Sequence, residues 1–448
     1  MAHDYDILII GGGNAGFAVS KTAHEAGKRV AFVEERDFGG TCPNRGCTPK
    51  KVLVAAAHAL DEIERASVHG IEVATPRVQW SRLIERARNM VAFVPDAMES
   101  VARKRGDVFR GHATFIDAHT VNVDGRVLRA AHIVIATGSR PRPLAIPGAE
   151  YLTTSEDVLG DPVFPDEVIF IGGGVIALEF AHVLQRVGSR VRILEAMPRL
   201  LPRQDAEAVG ELQAETGRIG VAIETDVKVV RIEPSEGRLR VHYEVGGKAY
   251  SRLADRVVNG TGRIANVGDL DLEAAGIEHD GVRVLVDEYL RSTSQPHIWV
   301  AGDALAHTAQ LSPLATYEGA IVGHNILHGP VKQPDYTATP SVVHTVPALA
   351  SVGLTQEQAS SRGLAVRVVR NDMTSWFSGK SYGETTAFAK VLIDEHTDHI
   401  RGAHLVGHRG EELIHLFALA IAREITATEL ANTHFAFPTF SSDVRNLL

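Results

Sequence analysis

YDILIIGGGNAGFAVSKTAHEAGKRVAFVE, residues 5–34, is the stretch that decides the fold. Residues 5–10 form a short apolar run, the pattern of a strand buried on both faces. Gly11, Gly13 and Gly16 follow as G-x-G-x-x-G. Residues 17–26 have helical character, and residues 28–33 read as a second strand that ends at Glu34. This is a βαβ dinucleotide fingerprint. Gly11 makes the tight turn, Gly13 lets the backbone approach a pyrophosphate, and Gly16 packs helix on strand. Phosphates suit the helix N-terminus, where free N–H groups and the dipole favour anions. Glu34 is placed to bond ribose hydroxyls.

The unit recurs. Residues 168–171 read as a strand, Gly172, Gly174 and Ala177 as G-x-G-x-x-A, and residues 191–194 as the next strand, closed by Glu195. Glu195 stands as far beyond Gly172 as Glu34 stands beyond Gly11. One glycine loop is weak evidence; two with matched acidic residues point to two bound dinucleotides. Residues 133–139 (IVIATGS) and 257–263 (VVNGTGR) each read as a strand running into a glycine turn. Helical regions are expected over 48–67, 80–105 and 315–326. Residues 298–300 read as a strand before Gly302 and Asp303. Asp303 suits either a ribityl hydroxyl or a helix N-cap. From residue 336 the composition shifts to short strands (341–345, 365–369, 387–393, 400–406) and a helix over 411–424, an α+β domain without a glycine fingerprint.

Between the first fingerprint and the rest lies GGTCPNRGCTPKK, residues 39–51. It holds both cysteines of the chain, Cys42 and Cys47. A Cys pair in a reducing compartment is more often redox-active or metal-binding than structural. No further Cys or His ligands flank it at zinc spacing, so no metal is expected. At a helix start the dipole is expected to lower thiol pKa. Arg45, between the sulfurs, reads either as a cation for a thiolate or anionic substrate, or as an exposed turn residue. The 448 residues carry a net charge of −9, which argues against nucleic acid. No apolar run reaches membrane length. The first strand starts within a few residues of Met1, leaving no room for a leader, and a cytoplasmic setting is expected.

GGGNAG at Gly11, GGTCPNRGCTPKK, ATGSRP at Ala136, GGGVIALE at Gly172 and AGDA at Ala301 together resemble the class I pyridine nucleotide–disulfide oxidoreductases. That is the group of glutathione reductase, dihydrolipoamide dehydrogenase and mercuric reductase. The resemblance implies an α/β chain of two Rossmann-like dinucleotide-binding domains and a C-terminal α+β dimerisation domain. The boundaries expected are 1–147 for the first part of the FAD domain, 148–264 for the NAD(P) domain, 265–335 for the second FAD part and 336–448 for the interface domain. It implies a homodimer with a shared active site. It places FAD on Gly11, Gly13, Gly16, Glu34, Gly40, Thr41, Lys51, Ala113, Thr137, Gly138, Ser139, Gly302 and Asp303. NAD(P)H falls on Gly172, Gly174, Ile176, Glu179, Glu195 and Gly262. Electrons then pass from nicotinamide through flavin to the sulfurs, with Cys47 facing the flavin and Cys42 attacking the acceptor through a mixed disulfide. Lys51 matches the family lysine near the flavin and Glu179 the glutamate paired with it. Glu195 accepts from a 2′-OH and repels a 2′-phosphate. Arg199 and Arg203 follow, but Ala196 and Met197 supply no arginine, so NADH is expected over NADPH.

The pattern breaks at the C-terminus. The family's His-Pro-Thr-x-x-Glu reads here as Phe437, Pro438, Thr439, Phe440, Ser441, Ser442. Phe437 stands in the histidine position and Ser442 in the glutamate position, so the acid–base dyad is missing. General acid catalysis contributes ~10²–10⁴-fold, about 3–5 kcal/mol. The acceptor is then a disulfide or other small electrophile that needs no strong acid, or His434 or His344 supplies the proton. A second reading follows the 2-ketopropyl-coenzyme M oxidoreductase/carboxylase, which also has Phe there, although it has a histidine where this chain has Ser442. A third is a flavin-binding redox sensor without dithiol turnover. Mercury reduction would need a C-terminal cysteine pair, and the chain ends Asn446, Leu447, Leu448.

Overall fold

A computed structural model describes residues 3–306 and 308–448. The chain divides into two compact units. One comprises Met1–Lys50, Glu85–Arg142 and Arg263–Asp335; the other comprises Lys51–Ile84, Pro143–Gly262 and Tyr336–Leu448.

The first unit is built on the strand Tyr5–Ile10, flanked in parallel by Val30–Glu34 on one side and Arg126–Ile135 on the other. Ile298–Val300 lies parallel beyond Arg126–Ile135, so the AGDA turn leaves the same sheet edge as the glycine turn. The far half of Arg126–Ile135 pairs antiparallel with Thr120–Val123, which pairs with Ala113–Asp117. Ile7, Leu8, Ile9, Phe32, Ile133 and Val134 are almost wholly buried, as a two-faced strand requires. Helix Asn14–Glu25 packs on helix Ser312–His328. Gly319 sets that approach, since a Cβ there would fall 2.3 Å from the Ala15 carbonyl oxygen. The helical region expected over 80–105 is two helices, Trp80–Val91 and Val94–Arg105, the second opened by Pro95 in its first turn.

The second unit holds the second parallel sheet, Ala222–Glu224, Arg190–Leu194, Glu167–Ile171 and Arg256–Asn259 in that order. An antiparallel ribbon of three strands, Val227–Ser235, Arg238–Val245 and Lys248–Ala254, follows in sequence. The C-terminal part is a five-stranded antiparallel sheet backed by helix Gly410–Ala422, with Ile414 and Phe417 fully buried against it. Among the described residues no helix is long and apolar enough to cross a membrane.

Candidate active site

The first glycine turn is a cradle that side chains would fill. At Gly11 (φ +111°) a Cβ would lie 2.2 Å from the Ala136 oxygen, and at Gly16 one would lie 2.2 Å from the Gly11 oxygen. Gly40 (φ +72°) faces Gly13, where a Cβ would come within 2.8 Å of the Gly13 Cα. Asn44 braces this approach by donating to the carbonyls of Phe38 (3.0 Å) and Gly40 (2.9 Å). Gly13 caps helix Asn14–Glu25, so the helix N-terminus opens at the cradle.

Around it runs a cavity lined by Gly11, Glu34, Ala113, Thr137, Asn266 and Asp269, among others. Sequence reading named four of these six; Asn266 and Asp269 lie far along the chain and carry no motif. Glu34 accepts from the Gly12 amide at 2.7 Å and the Arg36 amide at 2.8 Å, which fixes its carboxylate at the cavity wall. The Thr137 hydroxyl and the Asn44 side-chain carbonyl are buried with no protein partner. Buried polar atoms of this kind call for a ligand. Asp303 does not cap the turn Gly302–Leu305; Ala301 does. Its carboxylate accepts instead from Ser139 Oγ at 2.8 Å, and Arg263 Nε donates to the same hydroxyl at 2.8 Å. Burial pushes the Asp303 carboxyl up, against the Ser139 bond and the Arg263 charge. A desolvated carboxylate gains from further hydroxyl donors. Glycine cradle, orphaned hydroxyl and buried acid together fit FAD.

Cys42 lies in the short helix Thr41–Arg45 and is half-buried; Cys47 opens helix Cys47–Arg65 and is exposed. Both are free thiols. The expected low-pKa thiol is not found at Cys42. The hydrogen bond with the Cys47 thiol, then burial, push the Cys42 thiol far up, with Ser312 pulling the other way. A one-turn helix has little dipole to set against a second sulfur. Arg45 is also not an exposed turn residue: its side chain is 16% exposed and its guanidinium meets Asp37 at 3.2 Å.

In the second unit, Gly172 (φ +98°) approaches Gly260, whose carbonyl lies 2.6 Å from a Cβ at 172, while Gly262 (φ +101°) borders open space. Glu195 repeats Glu34: it accepts from the Gly173 amide, and from the Met197 amide at 2.7 Å. Arg199 is turned away, donating to the carbonyls of Pro202 (2.8 Å) and Gln204 (3.0 Å). Ile176 is half-buried in the first turn of helix Val175–Val187, which carries buried Glu179. Glu179 accepts from the His344 amide at 2.8 Å, and the His344 ring meets Lys51 Nζ at 3.3 Å. Lys51 is exposed and Lys50 is half-buried.

Phe437 is 74% exposed, and its nearest ring neighbour is Phe377 at 6.5 Å. His434 is exposed as well. Ser442 closes a capping box with Thr439: its amide donates to Thr439 Oγ1 at 3.2 Å and its hydroxyl to the Thr439 carbonyl at 2.6 Å.

Residues 5–319 match the family described as pyridine nucleotide-disulphide oxidoreductase, and residues 339–448 match its dimerisation domain. The chain belongs to this family. A pyridine nucleotide-disulphide oxidoreductase is an FAD- and NAD(P)H-dependent flavoprotein enzyme, and the dimerisation domain supports a homodimer. The chain is 31% identical over 451 residues to the dihydrolipoyl dehydrogenase of Chlamydia muridarum, covering 98% of this chain and 95% of the relative. It is 32% identical over 444 residues to the glutathione reductase of Burkholderia cepacia, covering 98% of each. Among solved structures, the Cu(II) complex of the HOCl-induced flavoprotein disulfide reductase RclA from Escherichia coli matches with a TM-score of 0.88 at 27% identity, over 100% of this chain and 99% of that one.

Proposed function

We propose that this oxidoreductase takes electrons from NADH and delivers them through the Cys42–Cys47 pair to a small acceptor that needs no protonation by an imidazole. FAD, when bound, supplies the hydride acceptor that splits two-electron delivery from thiol chemistry. The remaining chemistry belongs to the chain. Cys42 attacks one sulfur of an acceptor disulfide and expels one thiolate. Cys47 then attacks the Cys42 sulfur, expels the second thiolate and closes the Cys42–Cys47 bond. As Cys42 attacks, its proton passes to the neighbouring Cys47 sulfur and from exposed Cys47 to solvent, which leaves Cys47 a thiolate for the second attack.

One observation carries the reading. The C-terminal turn presents a phenyl ring at the surface where the family has an imidazole, and Ser442 is committed to its own cap. In a shared site the partner's tail would then bring no acid. Acidic leaving thiols tolerate this. The cytosol, with its reduced thiols, suits such an enzyme.

NADH oxidation should be followed with an aromatic disulfide of acidic thiol, glutathione disulfide, a quinone and a ketoalkyl thioether. The aromatic disulfide should exceed glutathione disulfide by about 10²-fold in kcat/KM, and Phe437→His should narrow that gap. Equal rates on both disulfides in the native enzyme would refute the proposal. Acetoacetate or acetone from the thioether would favour the carboxylase reading.

NADH preference rests on Glu195, whose buried carboxylate repels a 2′-phosphate, and on Arg199, which is spent on its own loop. NADH should exceed NADPH by about tenfold or more in kcat/KM, roughly 1.4 kcal/mol. Comparable values with the two nucleotides would count against this assignment.

A further inference from the structure

Asp443, directly after Ser442, reaches into the core of the C-terminal part. Its Oδ2 lies 2.8 Å from Nε2 of His408. Across the same ring, Nδ1 lies 3.0 Å from Glu384 Oε2, and the other Glu384 oxygen accepts from the His408 amide at 3.0 Å. His408 is 1% exposed. A neutral imidazole donates from one nitrogen only. Each ring nitrogen faces a carboxylate oxygen within hydrogen-bond distance, which fixes the ring's orientation from both sides. Aromatic rings enclose it: Phe440 at 4.7 Å and Trp376 at 6.2 Å, both edge-on. The Arg409 guanidinium stands 5.9 Å over the Tyr382 and Phe440 rings.

The backbone is held as firmly as the ring. Gly407, His408 and Arg409 are all left-handed, at φ +74°, +53° and +55°. Two non-glycine residues in this region persist only where their surroundings over-determine them. Three pieces of chain meet here. His408 joins strand Ile400–Val406 to helix Gly410–Ala422. Glu384 follows helix Phe377–Tyr382, whose Phe377 faces Phe437. Asp443 lies in the terminal segment Phe440–Leu447.

We infer that His408 is the positioning residue of the C-terminal turn. Clamped by Glu384 and Asp443, it fixes where residues 437–442 stand, a task that an orienting carboxylate at 442 would share in a His–Glu dyad. The geometry stands alone; its consequence for turnover rests on the proposed function, in which this turn borders the partner's acceptor site.

Asp443→Asn keeps the volume and removes the charge. The FAD-loaded dimer should stay yellow, and NADH should reduce its flavin at the native rate. Amide hydrogen exchange in residues 436–447 should quicken by about tenfold, and kcat/KM for the aromatic disulfide should fall by about tenfold. Asp443→Glu should recover part of both. Unchanged exchange, or faster exchange with unchanged turnover, would overturn the inference. So would an equal fall in both half-reactions, the mark of general damage. If Asp443→Asn does not fold, Glu384→Gln releases the opposite side of the ring and carries the same test. Failure of the proposed function is distinguishable: the native enzyme would then fail with every acceptor while Asp443→Asn still quickened exchange.

Discussion

Lys390→Met should cost the fold about 3–5 kcal/mol, the loss expected when one partner of a buried ion pair is removed. Lys390 lies on strand Phe388–Asp394 and is 2% exposed. Its Nζ donates to Asp205 Oδ2 at 2.9 Å and Glu207 Oε1 at 3.0 Å. Asp205 is fully buried and caps helix Ala206–Arg218 through its other oxygen. Burial raises the Asp205 carboxyl, but the Lys390 bond and nearby positive charge outweigh it and hold the group below the usual carboxylate range. Methionine fills the space of the lysine stem but leaves the buried Asp205 charge without its lysine partner. Glu207 should suffer little, since Arg370 holds it first and it is part-exposed. Asp205→Asn added to Lys390→Met keeps the cap and removes the stranded charge, so the double variant should recover most of the loss. Urea unfolding of the two variants measures the difference. A double variant as weak as the single one would mean that the stem's packing, and not the ion pair, sets the cost.

Lys390 also marks where sequence reading stops. In the strand sequence FAKVLID, alternation would turn a lysine to solvent; it is buried because a carboxylate 185 residues earlier in the chain meets it. Glycine turns were legible for the opposite reason. Gly11 and Gly172 answer to steric demands that the chain meets locally, so spacing alone revealed them, with Glu34 and Glu195 at matched places. The ribbon of residues 227–254 gives a weak strand signal because its strands are one-sided and rich in Arg, Glu and Lys, although Glu236-Gly237 and Gly246-Gly247 are turn signals. Position 442 was legible as a departure from the family, and its cap with Thr439 was implicit in their spacing. The proton affinity of the Cys42 thiol is not legible in sequence, because it comes from a sulfur placed beside it by the fold. The clamp on His408 draws on residues 24 and 35 positions away, beyond any local pattern.

Acid should unfold this protein early, with His182 as a principal cause. His182 lies on helix Val175–Val187 and is wholly buried. Its Nε2 lies 2.9 Å from Thr216 Oγ1, and its Nδ1 lies 2.9 Å from the Val346 carbonyl oxygen, with the Val346 amide and the Arg186 guanidinium each at 3.2 Å. Burial first, and the Arg186 charge second, depress the imidazole from its ordinary value to about 3. The folded ring stays neutral while the unfolded one binds a proton below roughly pH 6.5. Stability is therefore intact above that value and is lost as pH falls, by up to about 1.4 kcal/mol per pH unit until the folded ring also titrates near pH 3. That is roughly 2 kcal/mol by pH 5 from this residue alone. Burial also lowers His58, His132, His297 and His404, which adds to the slope. His112 runs the other way, raised by Glu35. Urea unfolding at several pH values between 7.5 and 5 gives the proton uptake from the slope. His182→Gln should lower stability at pH 7.5, yet flatten the acid slope by close to one proton. Parallel slopes in the native and variant proteins would show that His182 is already free to ionise in the fold.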